Sequence, residues 1–254
     1  IQMLKKLIKH ELYAYFRSVW PVTIVVLGLT VLSWIMSFAQ NSLFYWMLSL
    51  IMLVVLIYGV IAMLLGPIAK RFRKTMFSGE GYMTFSIPAT PVQLIVAKLV
   101  SAMILWIYTL LLFFVFSLLF SLSLRSFDIE NSLSQWSTFF NESFHDVAKD
   151  PLLFAEQLVL ALVASVSGIL FIFTGICVGQ LSKSRKSMVT VLFYVVIFFI
   201  VLFLQPFLSD LYTWLYQLNQ YVSTLLSILF FAAIAAVCFL STKYIVTHKL
   251  NLVA

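Results

Sequence analysis

Apolar residues run along this chain in long blocks separated by short polar intervals. Six blocks, at approximately 20–40, 43–66, 99–122, 157–180, 188–208 and 222–242, contain no Asp, Glu, Lys or Arg. About 20 apolar residues in a helix cross a hydrocarbon core of about 30 Å, so each block predicts a transmembrane helix. Pro21, Pro67, Pro151 and Pro206 stand near the ends of these blocks. A proline's missing N–H costs little at a helix end, so the four predict helix termini there.

Shorter stretches carry a mixed pattern. Over residues 1–19, Leu4, Leu7, Ile8, Leu12, Tyr15, Phe16 and Val19 recur at helical spacing, with Lys5, Lys6, Lys9, Tyr13 and Arg17 mostly on the other side. That spacing predicts an amphipathic helix lying in the membrane interface, its cations toward the headgroups; a plain basic flank to the first span has the same composition. Met3 with Leu4, Lys5 and Lys6 reads as a natural start, and the first apolar block reads as a retained span, not a cleaved signal. Between the second and third spans, residues 67–98 are too long for a tight turn and too polar for lipid. Ser78 ahead of Gly79, Glu80 and Gly81 is one helix-start signal, and Thr90 ahead of Pro91 is another. The segment fits a short docking helix and equally an ordinary surface loop. In 123–156, Trp136, Phe139, Phe140, Phe144 and Val147 recur at helical intervals, and in 209–221 so do Leu211, Trp214, Leu215 and Leu218. Both fit short interfacial helices with aromatics at headgroup depth, the second as a re-entrant segment, and the same spacing fits, more commonly, aromatics packed against neighbouring spans.

Composition agrees with a bilayer. The 254 residues are 63% hydrophobic and 10% charged, against about 45–50% apolar and 25% charged in a soluble domain. The net charge of +7 would suggest a nucleic-acid partner in a soluble protein, but here its distribution sets orientation. Fourteen of the sixteen basic residues fall before the first span, between the second and third, between the fourth and fifth, and after the last. Only Arg125 and Lys149 lie across the membrane, together with seven of the nine acids. The positive-inside rule then puts both termini in the cytoplasm. The reading is an all-α integral membrane protein of six transmembrane helices, one domain over 1–254, contacting lipid and no nucleic acid. Lys70, Arg71, Arg73 and Lys74, with the N-terminal cations, are placed to hold anionic headgroups.

Several chemistries lack their residues. No glycine is followed by Lys, so there is no nucleotide-binding loop of the Gly-Lys-Ser/Thr kind. His10, His145 and His248 are far apart, and Cys177 and Cys238 sit in apolar runs, so no metal site is expected. Ion-coupled carriers place ionisable residues inside the membrane, and these six blocks have none. A transporter of this composition takes its energy from a partner. Gly175 with Gly179, and Ala232 with Ala236, have the small-residue spacing that lets helices approach closely, within this chain or against a second one.

The stretch Met76-Phe-Ser-Gly-Glu-Gly-Tyr-Met-Thr-Phe-Ser-Ile-Pro-Ala-Thr-Pro-Val-Gln-Leu-Ile-Val-Ala-Lys-Leu99 resembles the cytoplasmic segment of ABC-2-type transporter permeases from Gram-positive bacteria. There a Glu-Gly-Tyr motif precedes a Leu-Pro-like turn and a return helix; here Ile87 replaces the usual Leu. The six-span plan and the N-terminal interfacial helix resemble that family too. The resemblance implies that this segment is a coupling helix docking on a separate ATPase, with Gly79, Glu80, Gly81, Tyr82, Thr84, Phe85, Pro88 and Thr90 making or shaping the contact. It also implies two ATPase subunits, which bind ATP and Mg2+, a second permease subunit, and a location in the bacterial cell membrane. The chain itself would hold no cofactor and no catalytic residue. The expected function is outward transport of a hydrophobic or amphipathic cargo, such as antimicrobial or toxin peptides. A membrane anchor for a regulatory ATPase is the alternative.

Overall fold

A computed structural model describes residues 2–37, 54, 65–77, 90–124, 134, 137, 138, 141, 145, 147–182 and 185–248. The described residues contain helices and no strand. The principal helices are α1 (Gln2–Ser37), α2 (Pro91–Leu124), α3 (Pro151–Gln180), α4 (Lys186–Leu218) and α5 (Gln220–His248), and residues 65–77 are helical as well. All five labelled helices are long and apolar enough to cross a membrane, which makes this a multi-pass membrane protein. The block at 43–66 lies almost wholly outside the described residues.

Each helix outruns its apolar block. With 29 to 36 residues they are roughly 44–54 Å long, well beyond a hydrocarbon core of about 30 Å. Hydropathy marks only what must lie in lipid. A helix continues into the interface until its backbone finds a cap. Thr90 supplies one: its hydroxyl accepts the Gln93 N–H at 3.3 Å, and its own N–H donates to Gln93 Oε1 at 3.0 Å. This reciprocal capping box starts α2 at Pro91. Pro151 opens α3 in the same favoured first position.

Two prolines behave differently from the sequence expectation. Pro21 lies inside α1 and Pro206 inside α4, so neither ends a helix. A separate interfacial helix over 1–19 is replaced by one helix that runs on into the first span. Glu11, Tyr15, Val19, Thr23, Val26 and Thr30 form one buried stripe at three- and four-residue intervals through Pro21. A mid-helix proline costs about 3 kcal/mol. Ending a helix in lipid would strand several backbone groups at several kcal/mol each, so continuing is cheaper.

Most of 209–221, where the sequence suggests a re-entrant segment, belongs to α4. Helix α4 runs unbroken to Leu218, and a single extended residue, Asn219, separates it from α5. The Asn219 N–H donates to the Leu215 carbonyl at 3.0 Å, closing α4, while its side-chain Oδ1 accepts the Tyr221 N–H at 2.9 Å, capping α5. One asparagine thus does the work of a loop.

The chain divides into two compact units. One contains Arg71–Met103 and Asp150–Ala254, and therefore α3, α4, α5 and the start of α2. The other contains Lys5–Lys70 and Ile104–Lys149; within it Phe16 of α1 meets Tyr108 of α2 edge-on, with centroids 5.1 Å apart.

Candidate functional site

Residues 78–89, which include Gly79, Glu80, Gly81, Tyr82, Thr84, Phe85 and Pro88 of the expected coupling motif, lie outside the described residues. The chain on either side of them is described, and both arms are firmly built in. On the entering arm, Ile68, Phe72 and Met76 form a fully buried face at four-residue spacing. Lys70, Arg73 and Lys74 are exposed and Arg71 is half-buried. The Phe72 ring stacks on Phe173 of α3 with centroids 4.0 Å apart and planes 8° apart, and Phe77 meets Phe72 edge-on at 6.0 Å. Offset and edge contacts of this kind add about 0.5–1.5 kcal/mol each beyond burial.

On the leaving arm, Lys98 reaches back to the entering one. Counted in the sequence with the cations of the connection, it sits instead in the second turn of α2, only 2% exposed. Its ammonium donates to the Thr75 hydroxyl, which in turn donates to the Arg71 carbonyl at 2.8 Å. A buried ammonium is tolerated only where acceptors meet it. Its sequence signal was a lone cation set among Leu94, Ile95, Ala97 and Ala102, all buried. Lys98 and Phe72 thus tie the two ends of 78–89 to one another and to α3.

Among the described residues, α3 and α5 form the most extensive helix pair, joined by hydrogen bonds near both ends. At one end Thr224 donates to Glu156 Oε2 at 2.6 Å. At the other, Thr174 lies 3.1 Å from the Cys238 carbonyl and 3.1 Å from the Thr242 hydroxyl, and 2.8 Å from the Leu170 carbonyl. A hydroxyl carries one proton, so Thr174 serves one of the two carbonyls and Thr242 is the donor between the hydroxyls. The 18 residues from Glu156 to Thr174 span roughly 27 Å, close to the hydrocarbon depth. Glu156 is therefore within a spanning helix, at its end and partnered, although the apolar block begins one residue beyond it.

Gly175 and Gly179 of α3 face α4. A side chain at Gly175 would strike the Tyr194 ring, whose hydroxyl donates to the Ile172 carbonyl at 2.8 Å. One at Gly179 would strike Thr190 and lie 2.8 Å from the Lys186 carbonyl. The close approach made by this pair is between helices of one chain. Ala232 and Ala236 are exposed on α5 and meet no such neighbour among the described residues. Lys5, Lys6, Lys9 and Arg17 are exposed along α1, as interfacial cations require.

No family model, curated protein or solved structure matches the chain.

Proposed function

We propose that this chain is the membrane-spanning permease subunit of an ATP-driven exporter of the ABC-2 type in the bacterial cytoplasmic membrane. Its cargo is hydrophobic or amphipathic, and amphipathic peptides are the class we favour. Two soluble ATPase subunits, binding ATP and Mg2+, and a second permease subunit complete the machine, with both termini of this chain cytoplasmic.

The observation that carries the reading is the construction around 78–89. A segment that receives a mechanical push is useful only if its two ends cannot absorb the motion. Here the buried Lys98–Thr75 bond fastens the two ends to one another and the Phe72–Phe173 stack fastens the entering end to α3, and α3 is hydrogen-bonded to α5 near both ends. Closing of the ATPases on ATP would move the docked segment. The tied helices would then shift between inward- and outward-facing arrangements, each state favoured by the nucleotide condition that binds it better.

Glu80 is the only acid in its basic connection, and its carboxylate is assigned to a cationic or helix N-terminal site on the ATPase. The test is purification of the tagged chain with its soluble ATPase, followed by measurement of permease-stimulated ATP turnover for wild type and Glu80→Ala at equal expression. Loss of stimulation is expected. Wild-type stimulation in the variant would overturn the assignment of Glu80, and a chain that binds no ATPase at all would overturn the reading.

A further inference from the structure

Thr190 and Tyr194, in the first third of α4, lie against Gly179 and Gly175 of α3. Beyond Ile197, every residue from 198 to 214 is exposed. A cleft of about 1750 Å³ lies between α3, α4 and α5. Phe171, Phe198, Val201, Phe231, Ile234 and Val237 line the deeper part. Along α4, from Lys186 to Val201, the cleft is roughly 22 Å long, more than the depth of one leaflet of a bilayer whose core is about 30 Å.

The shallow end has a different character. Gln180, Ser182, Lys186, Ser241 and Tyr244 line it, and Arg185 and Lys243 flank those residues in sequence and are exposed. No acidic residue occurs in 180–190 or 238–248; the acids of α3 and α4, Glu156 and Asp210, belong to the opposite ends of those helices. A long apolar cleft thus ends in a hydroxyl- and amide-bearing mouth whose formal charge is wholly positive. Basic pockets between spanning helices select anionic lipid headgroups. A cationic amphipathic peptide would meet like charge at this mouth.

We infer that the cleft is a binding site for one anionic phospholipid, its acyl chain lying among Phe171, Phe198 and Ile234 and its phosphate at Lys186, with hydroxyls of Ser182, Ser241 and Tyr244 as further donors. The inference rests on the chain lying in a bilayer, not on the exporter reading, and it stands or falls separately. The lipid would fill the space between α4 and the α3–α5 pair.

Native mass spectrometry of the full chain in detergent, with equimolar dioleoyl phosphatidylglycerol and dioleoyl phosphatidylcholine, tests it. One phosphatidylglycerol is expected to be retained in preference to phosphatidylcholine. Lys186→Gln should lower that preference about five-fold, the contribution of one lysine near an anionic surface. Val237→Trp should reduce retention of both lipids by occupying the cleft; position 237 is 63% exposed, so the larger ring displaces no core residue. Equal retention of the two lipids by wild type, an unchanged preference in Lys186→Gln, unchanged retention in Val237→Trp, or a second copy of the chain bound in place of lipid would each overturn the proposal.

Discussion

Substitution of the two glycines on α3 separates two kinds of tight contact. The three nearest neighbours of an added methyl at Gly175 all belong to one side chain, Tyr194. That ring is held by its hydroxyl bond to Ile172 and by Phe171 and Phe193 at 5.6 and 5.7 Å. At Gly179 the added methyl meets Thr190, and also the Lys186 carbonyl at 2.8 Å. Ordinary contact begins near 3.4 Å, so the first backbone turn of α4 must retreat by about 0.6 Å whatever residue stands at 190. Overpacking of this kind costs about 1–3 kcal/mol, and Gly175→Ala and Gly179→Ala should each destabilise by that amount. Their rescue should differ. Tyr194→Ala added to Gly175→Ala should recover most of the loss, a coupling of at least about 1 kcal/mol. Thr190→Ala added to Gly179→Ala should leave most of the cost in place, because the carbonyl remains. Reversible unfolding in bicelles, run as two double-mutant cycles, measures both couplings. Simple additivity at 175 and 194, or full rescue at 179 by the change at 190, would refute the assignment of these contacts.

The hydrogen bond between α3 and α5 should be sensitive to loss of its acceptor: Glu156→Leu is expected to cost about 0.6–1.7 kcal/mol in the same unfolding assay, and Glu156→Gln, which keeps an acceptor oxygen, substantially less. Asn219→Ala should cost about 1 kcal/mol and speed amide exchange at the start of α5, where Tyr221 loses its cap. Pro21→Ala should leave helical content by circular dichroism unchanged and show a protected amide at position 21, since α1 already runs through it; a fall in helicity would contradict the continuous helix. Phe72→Ala should destabilise by about 3–5 kcal/mol, through loss of the fully buried ring stacked on Phe173.

The parts of the fold legible in the sequence are those that follow from transfer into lipid. The blocks at 99–122, 157–180, 188–208 and 222–242 each lie inside one observed helix, and Thr90-Pro91 marks a true helix start. Helix ends that depend on a balance of backbone bonds were not legible. Pro21 and Pro206 look like terminators when a proline's own cost is considered alone, and become tolerable only against the larger cost of a break in lipid. Asn219 carries no hydropathy signal, yet its side chain and N–H together replace a loop. Glu80 and its neighbours stand out by motif, whereas Lys98 reads as a loop charge because its burial depends on Thr75, 23 positions away. Pairings such as Thr174 with Thr242 and Glu156 with Thr224 are 68 positions apart, beyond any local pattern.

Transport itself is the decisive measurement for the exporter reading. The chain, purified with its soluble ATPase and reconstituted into proteoliposomes with the ATPase facing outward, would be given ATP and a fluorescent amphipathic peptide, with and without vanadate. ATP-dependent, vanadate-sensitive accumulation of cargo in the lumen is the expected result. A complex that binds and hydrolyses ATP while no member of a panel of amphipathic peptides, drugs or lipids moves would contradict it, and would identify the chain as a membrane anchor instead.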